Sequence, residues 1–413
     1  MSSPSSGVLG SVAAGFEPVA RVFERHFEAR EEIGAGLAVY HRGVRVVSLW
    51  GGLANRERRT PWNEDTRAVL FSCTKGLAAM GLMLLADRGL LDYDAPVATY
   101  WPGFARAGKG TIRVRTLLNH RAGLAVLDVP FTLAECTDET IRARLVDALE
   151  TQRPRWEADR GQGYHALTFG MYARELFERI AGEPLGPFLS RELFEPLGAD
   201  VSLGTPESVD ARMATLYPPE LRERVGGMTR SVLRRALGGV GPITEARIAA
   251  TLVSRDSLPR GAFSNPSAPE GIAAYDKPSV WRASLAWASA TGSADGLARA
   301  YLPFALGGEV AGRRYVKAST IAPVYDRQGW STRDGVLQKP LGWSQGFLKE
   351  EPHVFSPTRE SFGHPGIGGA LGWCDPVAQL TIGYVLNRLD WHVRSPRALA
   401  ICRALYACDP VRG

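Results

Sequence analysis

The apolar positions of this chain follow two rhythms, short alternating or continuous runs toward both ends and helical stripes through the middle. Phe16, Val19, Val22, Phe23 and Phe27 recur at the spacing of one helix face and predict an amphipathic helix. Next comes Gly36 to Trp50, where two β-rich runs meet at Arg42-Gly43 with the turn chemistry of a hairpin. Ala68 to Ser72 reads as a short strand leading into a helix over Lys75 to Leu91, with Leu77, Met80, Leu84 and Leu85 as its stripe and Arg88-Gly89 as its stop. From Asp92 to Ala283 helical segments (Thr140 to Leu149, Thr168 to Ile180, Leu221 to Leu237) alternate with Pro/Gly loops, and extended runs are scarce. A helix over Ser293 to Leu306, β-like runs around Leu341 to Phe347, Ala370 to Cys374 and Leu380 to Leu386, and a last helix near Pro396 to Tyr406 complete the pattern. Strands at both ends with helices between them predict an α+β fold: a discontinuous α/β domain from residues 1–91 and 284–413, interrupted by a mainly helical insertion over 92–283.

Composition narrows the class. With 413 residues, 45% apolar and 22% charged, the chain has the balance of a globular protein, which excludes disordered and fibrous classes. No stretch approaches the roughly 18 consecutive apolar residues of a membrane span, and Met1 to Gly10 lacks the basic and apolar regions of a secretory signal, so a cytoplasmic, unprocessed protein is expected. Cys73, Cys136, Cys374, Cys402 and Cys408 are odd in number and form no C-x-x-C pair, which predicts free thiols. The net charge of +6 comes from dispersed arginines, without a dense basic run, so no nucleic-acid partner is expected. Lysines number only six (Lys75, Lys109, Lys277, Lys317, Lys339 and Lys349), which raises at each the question of whether an amine able to lose its proton is required there.

One lysine answers that question through its neighbours. In Phe71-Ser72-Cys73-Thr74-Lys75 a serine and a lysine stand three residues apart at a strand-to-helix junction, so both side chains share one helix face and a neutral amine can take the hydroxyl proton. The helix N-terminus favours an alkoxide at Ser72. Cys73, one position along, points roughly 100° away and is assigned to core packing.

Two further segments, Gly163-Tyr164-His165-Ala166 and His364-Pro365-Gly366-Ile367-Gly368-Gly369, come in an order and at separations that resemble the three active-site motifs of the serine β-lactamase and penicillin-binding-protein superfamily. The resemblance is closest to class C enzymes and, among them, to the family VIII carboxylesterases. It extends over nearly the whole chain, since Leu117 to Leu124 and Ala290 to Tyr301 also look like segments of these hydrolases. It implies a β-lactamase-like fold, an antiparallel sheet flanked by helices, with the site between the two parts and no cofactor. It further implies Ser72 as acylated nucleophile, Lys75 as proton acceptor, Tyr164 as proton shuttle, the backbone N–H groups of Ser72 and Ile367 as oxyanion hole, and His364 and Gly366 as substrate-binding positions.

Two departures bear on substrate. His364 stands where the superfamily has the lysine of Lys-Thr-Gly, and Ala166 where it has the asparagine of Tyr-x-Asn. A histidine, mostly neutral near pH 7, anchors a carboxylate weakly, and alanine removes a donor to an acylamide chain. Both changes point to small-molecule esters with small or medium acyl groups, with acyl transfer to an alcohol or amine, weak β-lactamase activity, or a penicillin-binding-like sensor without turnover as alternatives. Trp281, Trp287, Trp343 and Trp373 are candidates for an apolar acyl pocket.

Rival chemistries fit less well. Gly342-Trp343-Ser344-Gln345-Gly346 is a literal G-x-S-x-G, with Asp375 or Asp390 and then His392 downstream. The stretch after Ser344 runs into Pro352 and reads as extended instead of helical, and the β/α alternation of that fold is missing. His353, His364 and His392 lack metal-ligand spacing, and no metal is expected. Oligomeric state leaves no trace in the pattern.

Overall fold

The computed structural model describes residues 7–236, 244–252, 254, 256–349 and 354–412. A single antiparallel sheet organises it. Its main path runs through β1 (Val8–Val12), β2 (Gly34–His41), β3 (Val44–Asn55), β4 (Gly329–Ser331), β5 (Leu341–Ser344), β6 (Phe347–Lys349), β7 (Phe362–Pro365), β8 (Leu371–Asp375) and β9 (Leu380–Leu386), in the order β1-β3-β2-β9-β8-β7-β6-β5-β4. A short strand at Thr60–Pro61 pairs with β3 and brings the total to ten. The expected hairpin is β2–β3, and its two-residue turn has Arg42 and Gly43 both at positive φ, as a tight turn matching the twist of its strands requires. Three strands of the main path escape the hydrophobic pattern: β1 and β4 at the sheet edges, and β7, which ends at His364-Pro365.

Helices cover both faces. α1 (Glu17–Glu28) buries Val19, Val22 and Phe23, and packs on α7 (Pro396–Tyr406) and on the sheet, where Phe23 meets Tyr384 at 6.4 Å between ring centres. The opposite face carries α6 (Ala294–Ala300), capped by Ser293, and α2 (Cys73–Asp87). The predicted helix at Ser293 to Leu306 is broken into two short ones, Ala294–Ala300 and Leu302–Ala305, around Pro303. α2 is buried from Cys73 to Leu85 on every side, because β6 and β7 press on one flank and α3 (Thr168–Ala181) on the other. A helix with no wet face must be apolar all round, which is why the sequence shows its stripe but not its depth.

Residues 92–283 contribute helices, among them α3, α4 (Leu221–Ala236) and α5 (Thr244–Leu252), and one two-residue strand, Val201–Ser202. That strand joins Thr291–Gly292 and Ala68–Val69 in a small second sheet that feeds the chain into α2. The predicted end of α4 at Leu237 lies outside the described residues. Among the described residues no helix is long and apolar enough to cross a membrane, and no disulfide joins any of the five cysteines.

α3 approaches the 286–287 segment so closely that a Cβ on Gly170 would lie 2.2 Å from Trp287 N and 2.4 Å from Ala286 C. Backbone cannot yield to a methyl group, so Gly170→Ala should cost about 1–3 kcal/mol in urea unfolding. Gly226→Ala on α4 serves as control: its nearest contact is Arg230 Nη1 at 3.9 Å, and the change should be neutral or gain up to about 1 kcal/mol. Equal stabilities for the two variants would contradict the close approach.

Candidate active site

Ser72 sits where the small second sheet ends. Leu70 N donates to Ala290 O at 2.8 Å, Phe71 turns the chain at φ 46°, and Ser72 then caps α2. A bulky side chain at positive φ is a costly conformation, tolerated here because the strand before it and the helix after it are both held by tertiary contacts. The turn delivers Ser72 to the floor of a cavity of about 330 Å³. One helical turn on, Lys75 points the same way, and its Nζ donates to Ser72 Oγ at 3.1 Å and to Trp287 O at 2.9 Å. Tyr164 donates its hydroxyl to the same Ser72 Oγ at 3.1 Å, and its ring lies 5.2 Å from Lys75 Nζ. The three residues singled out for proton transfer therefore converge on one oxygen. Tyr164 itself occupies the loop before α3, four residues ahead of the helix start at which the sequence places it.

Burial sets the electrostatics. Lys75 is wholly buried, no carboxylate bonds it among the described residues, and its pKa falls from 10.5 to about 7. The same burial pushes the Tyr164 phenol well above its ordinary range, and the Cys73 thiol up to about 12, so neither is ionised at neutral pH. His364 is held well below the ordinary histidine range by burial and then by the Lys75 charge. Its Nδ1 lies 2.8 Å from Pro365 O, while Nε2 is buried without a partner.

His364, Pro365, Gly366 and Ile367 line the cavity opposite Ser72. A Cβ on Gly366 would lie 2.5 Å from Leu70 O, so this loop rests directly on the turn that carries Ser72. Gly366 N is bonded to Ala370 O at 2.7 Å, whereas among the described residues the amides of Ser72 and Ile367 meet no acceptor. Two unengaged N–H groups on adjoining walls are what an oxyanion requires.

The remaining wall is apolar and no motif in the sequence announces it. Met228 of α4, Ile248 and Leu252 of α5, Phe263 and the 391–394 loop close the cavity, with Arg224 and Glu245 on the same wall. Only the helical periodicity of these segments shows in the sequence. Of the four candidate tryptophans for the pocket, Trp343 lines it, stacked on Tyr164 at 5.6 Å and 8° between planes. Trp281, Trp287 and Trp373 are buried elsewhere, Trp287 serving through its carbonyl.

The G-x-S-x-G serine is a hairpin residue. β5 and β6 turn through Gln345-Gly346, both at positive φ, and the buried Ser344 donates to Pro323 O at 3.3 Å. Asp375 is taken up by Ser356, Thr358 and Tyr406, while Asp390 holds His392 Nδ1 at 2.5 Å on the cavity wall, away from Ser344. Among the described residues no three metal-ligating side chains cluster, and His353 lies outside them.

The Beta-lactamase family model matches residues 19–404. The curated "Esterase/beta-lactamase LipL" of Mycobacterium tuberculosis is 32% identical over 391 residues, 94% of this chain and 85% of the relative. A crystal structure of a family VIII carboxylesterase superposes with a TM-score of 0.83 at 31% identity, covering 97% of this chain and 99% of the other. A penicillin-binding protein homologue from Caulobacter crescentus does so with a TM-score of 0.81 at 31% identity over the same shares. With the family model spanning nearly its whole length, and relatives of similar size and architecture beside it, the chain belongs to the beta-lactamase family.

Proposed function

We propose that this protein is a serine esterase that cleaves carboxylic esters with small or medium acyl groups through a Ser72 acyl-enzyme. The observation that carries the reading is the convergence of a Lys75 amine whose pKa burial brings down to about 7 and a neutral Tyr164 phenol on Ser72 Oγ, both at 3.1 Å, at the floor of a largely apolar cavity. The esterase names of its relatives support it. Residues 1–91 and 284–413 supply Ser72, Lys75 and the 364–367 loop while 92–283 supply Tyr164 and the wall from α4 and α5, which supports reading the chain as two lobes around one cleft.

In this mechanism Lys75 takes the Ser72 proton and Oγ attacks the acyl carbon. The oxyanion is met by the amides of Ser72 and Ile367. Tyr164 protonates the departing alkoxide and is reprotonated from Lys75. Water then enters, gives its proton back along the same path, and releases the acid, so one ester and one water yield one acid and one alcohol. The neutral His364 offers no positive charge to a substrate carboxylate, which favours neutral esters over penicillins.

The primary test incubates the pure protein with a fluorophosphonate and, separately, with p-nitrophenyl butyrate. A single adduct on the Ser72 peptide with sustained nitrophenol release is expected. An adduct on Ser344 would overturn the site, and a burst ending near one equivalent would move the reading to a penicillin-binding-like sensor, the second reading favoured by the Caulobacter crescentus homologue. Lys75→Ala and Tyr164→Phe should each lower turnover of ethyl butyrate about a hundredfold or more.

Because Lys75 must be neutral to act as base, and burial sets its pKa at about 7, kcat/KM should fall about tenfold per pH unit below 7 and level off above it. A profile flat from pH 5 to 9 would remove Lys75 from that role. Nitrocefin should be turned over with a lower kcat/KM than p-nitrophenyl butyrate, because the position beside the nucleophile is a neutral histidine and the arginines of the cavity, Arg224 and Arg394, line a different wall.

A further inference from the structure

Tyr164 sits in a loop, yet its hydroxyl must be held to a fraction of an ångström. Three successive amides around it are each bonded by a buried acceptor. Gly163 N donates to His120 O at 3.1 Å, Tyr164 N to Asp334 Oδ1 at 3.0 Å, and His165 N to His120 Nδ1 at 2.9 Å. His120 thus grips the loop twice, by main chain and by ring, on either side of the tyrosine. It is wholly buried, its φ is 60°, and its ring lies 4.0 Å from Trp343 and 5.1 Å from Tyr164 between centres. Accepting a bond at Nδ1 fixes the tautomer with the hydrogen on Nε2.

Asp334 grips from the other side. It too is wholly buried and, besides Tyr164 N, accepts at Oδ1 from Val336 N and Leu337 N, both at 2.9 Å, while Oδ2 accepts from Gln162 Nε2 at 3.4 Å, and no cation bonds it among the described residues. Gln162 extends the seam, its carbonyl accepting from Gly335 N at 2.9 Å. His120 comes from the helical segment and Asp334 from the segment before β5, so the loop is clamped between two distant parts of the chain.

We propose that His120 and Asp334 are positioning residues that hold the Tyr164 hydroxyl on Ser72 for proton delivery to the leaving group. The proposal rests on the reading of Tyr164 as proton carrier given above, and the test separates the two. A p-nitrophenolate leaves without a proton at neutral pH, whereas an ethoxide needs one. The measured quantity is the ratio of kcat/KM for p-nitrophenyl butyrate to that for ethyl butyrate, in the wild type, His120→Ala, His120→Asn, Asp334→Ala and Tyr164→Phe, with melting temperatures alongside.

Misplacement of the phenol should raise the ratio by about tenfold or more in His120→Ala and Asp334→Ala, chiefly through kcat for the ethyl ester. Tyr164→Phe should raise it at least as far. His120→Asn, whose side-chain oxygen can stand where Nδ1 accepts, should return the ratio to within about threefold of wild type. If Tyr164→Phe shifts the ratio and the folded His120 and Asp334 variants do not, the clamp is merely structural and the proposal fails while the reading of Tyr164 stands. If Tyr164→Phe leaves the ratio unchanged, the reading of Tyr164 fails and takes the proposal with it. Should one alanine variant not fold, the other carries the test with His120→Asn: a raised ratio in the alanine variant with recovery in His120→Asn supports the clamp, and wild-type ratios in both overturn it.

Discussion

Lys75 places an amine near the centre of the molecule with a hydroxyl and a main-chain carbonyl as its hydrogen-bond partners. An ammonium in such a place costs several kcal/mol that no carboxylate among the described residues offsets. The cheapest response is to shed the proton, and a lysine that has shed its proton is a base. A carboxylate within reach would have kept the charge and removed the base, so a bonding shell made of neutral groups is as much a part of the chemistry as the amine. The same dryness keeps Tyr164 protonated and His364 and His120 neutral. One constraint, burial without a counter-charge, therefore sets the ionisation of the side chains around the reacting oxygen.

The fold supplies that burial through α2. Because β6 and β7 lie against one flank and α3 against the other, the first turns of this helix are sealed, and they open toward the cavity above Ser72. The turn at Phe71 and the loop at Gly366 then bring two free amides to the same opening. The wall from α4, α5 and the 391–394 loop contributes shape and largely apolar surface but none of the groups bonded to Ser72 Oγ.

Legibility in the sequence tracks the range of the interaction. Ser72 and Lys75 can be paired from sequence because three residues along a helix is a local distance, and the hairpin at Arg42-Gly43 because a tight turn is local too. Tyr164 and His364 are reached through the resemblance, since nothing in Gly163-Tyr164-His165 by itself points to Ser72. Asp334 is invisible: its role comes from accepting an amide 170 positions away, and a lone aspartate in a loop carries no pattern. The strands at Val8–Val12 and Gly329–Ser331 are short edge strands whose identity depends on the neighbour they pair with. The G-x-S-x-G string shows the reverse error, a motif whose glycines serve a hairpin turn instead of a nucleophile.

The sheet order has a consequence for how the molecule comes into being. β2 lies between β3 and β9, so Ala35 is paired with Leu386 and His41 with Leu380 across almost the full length of the chain. A newly made chain can form the β2–β3 hairpin early, but the centre of the sheet stays open until β9 has been synthesised, and closing it carries the entropic cost of a very long loop. α2 cannot be sealed, nor Lys75 dried, before β6 and β7 are in place. Ser72 and Lys75 are therefore made well before their surroundings are complete, and the site takes shape only when β6, β7 and β9 arrive.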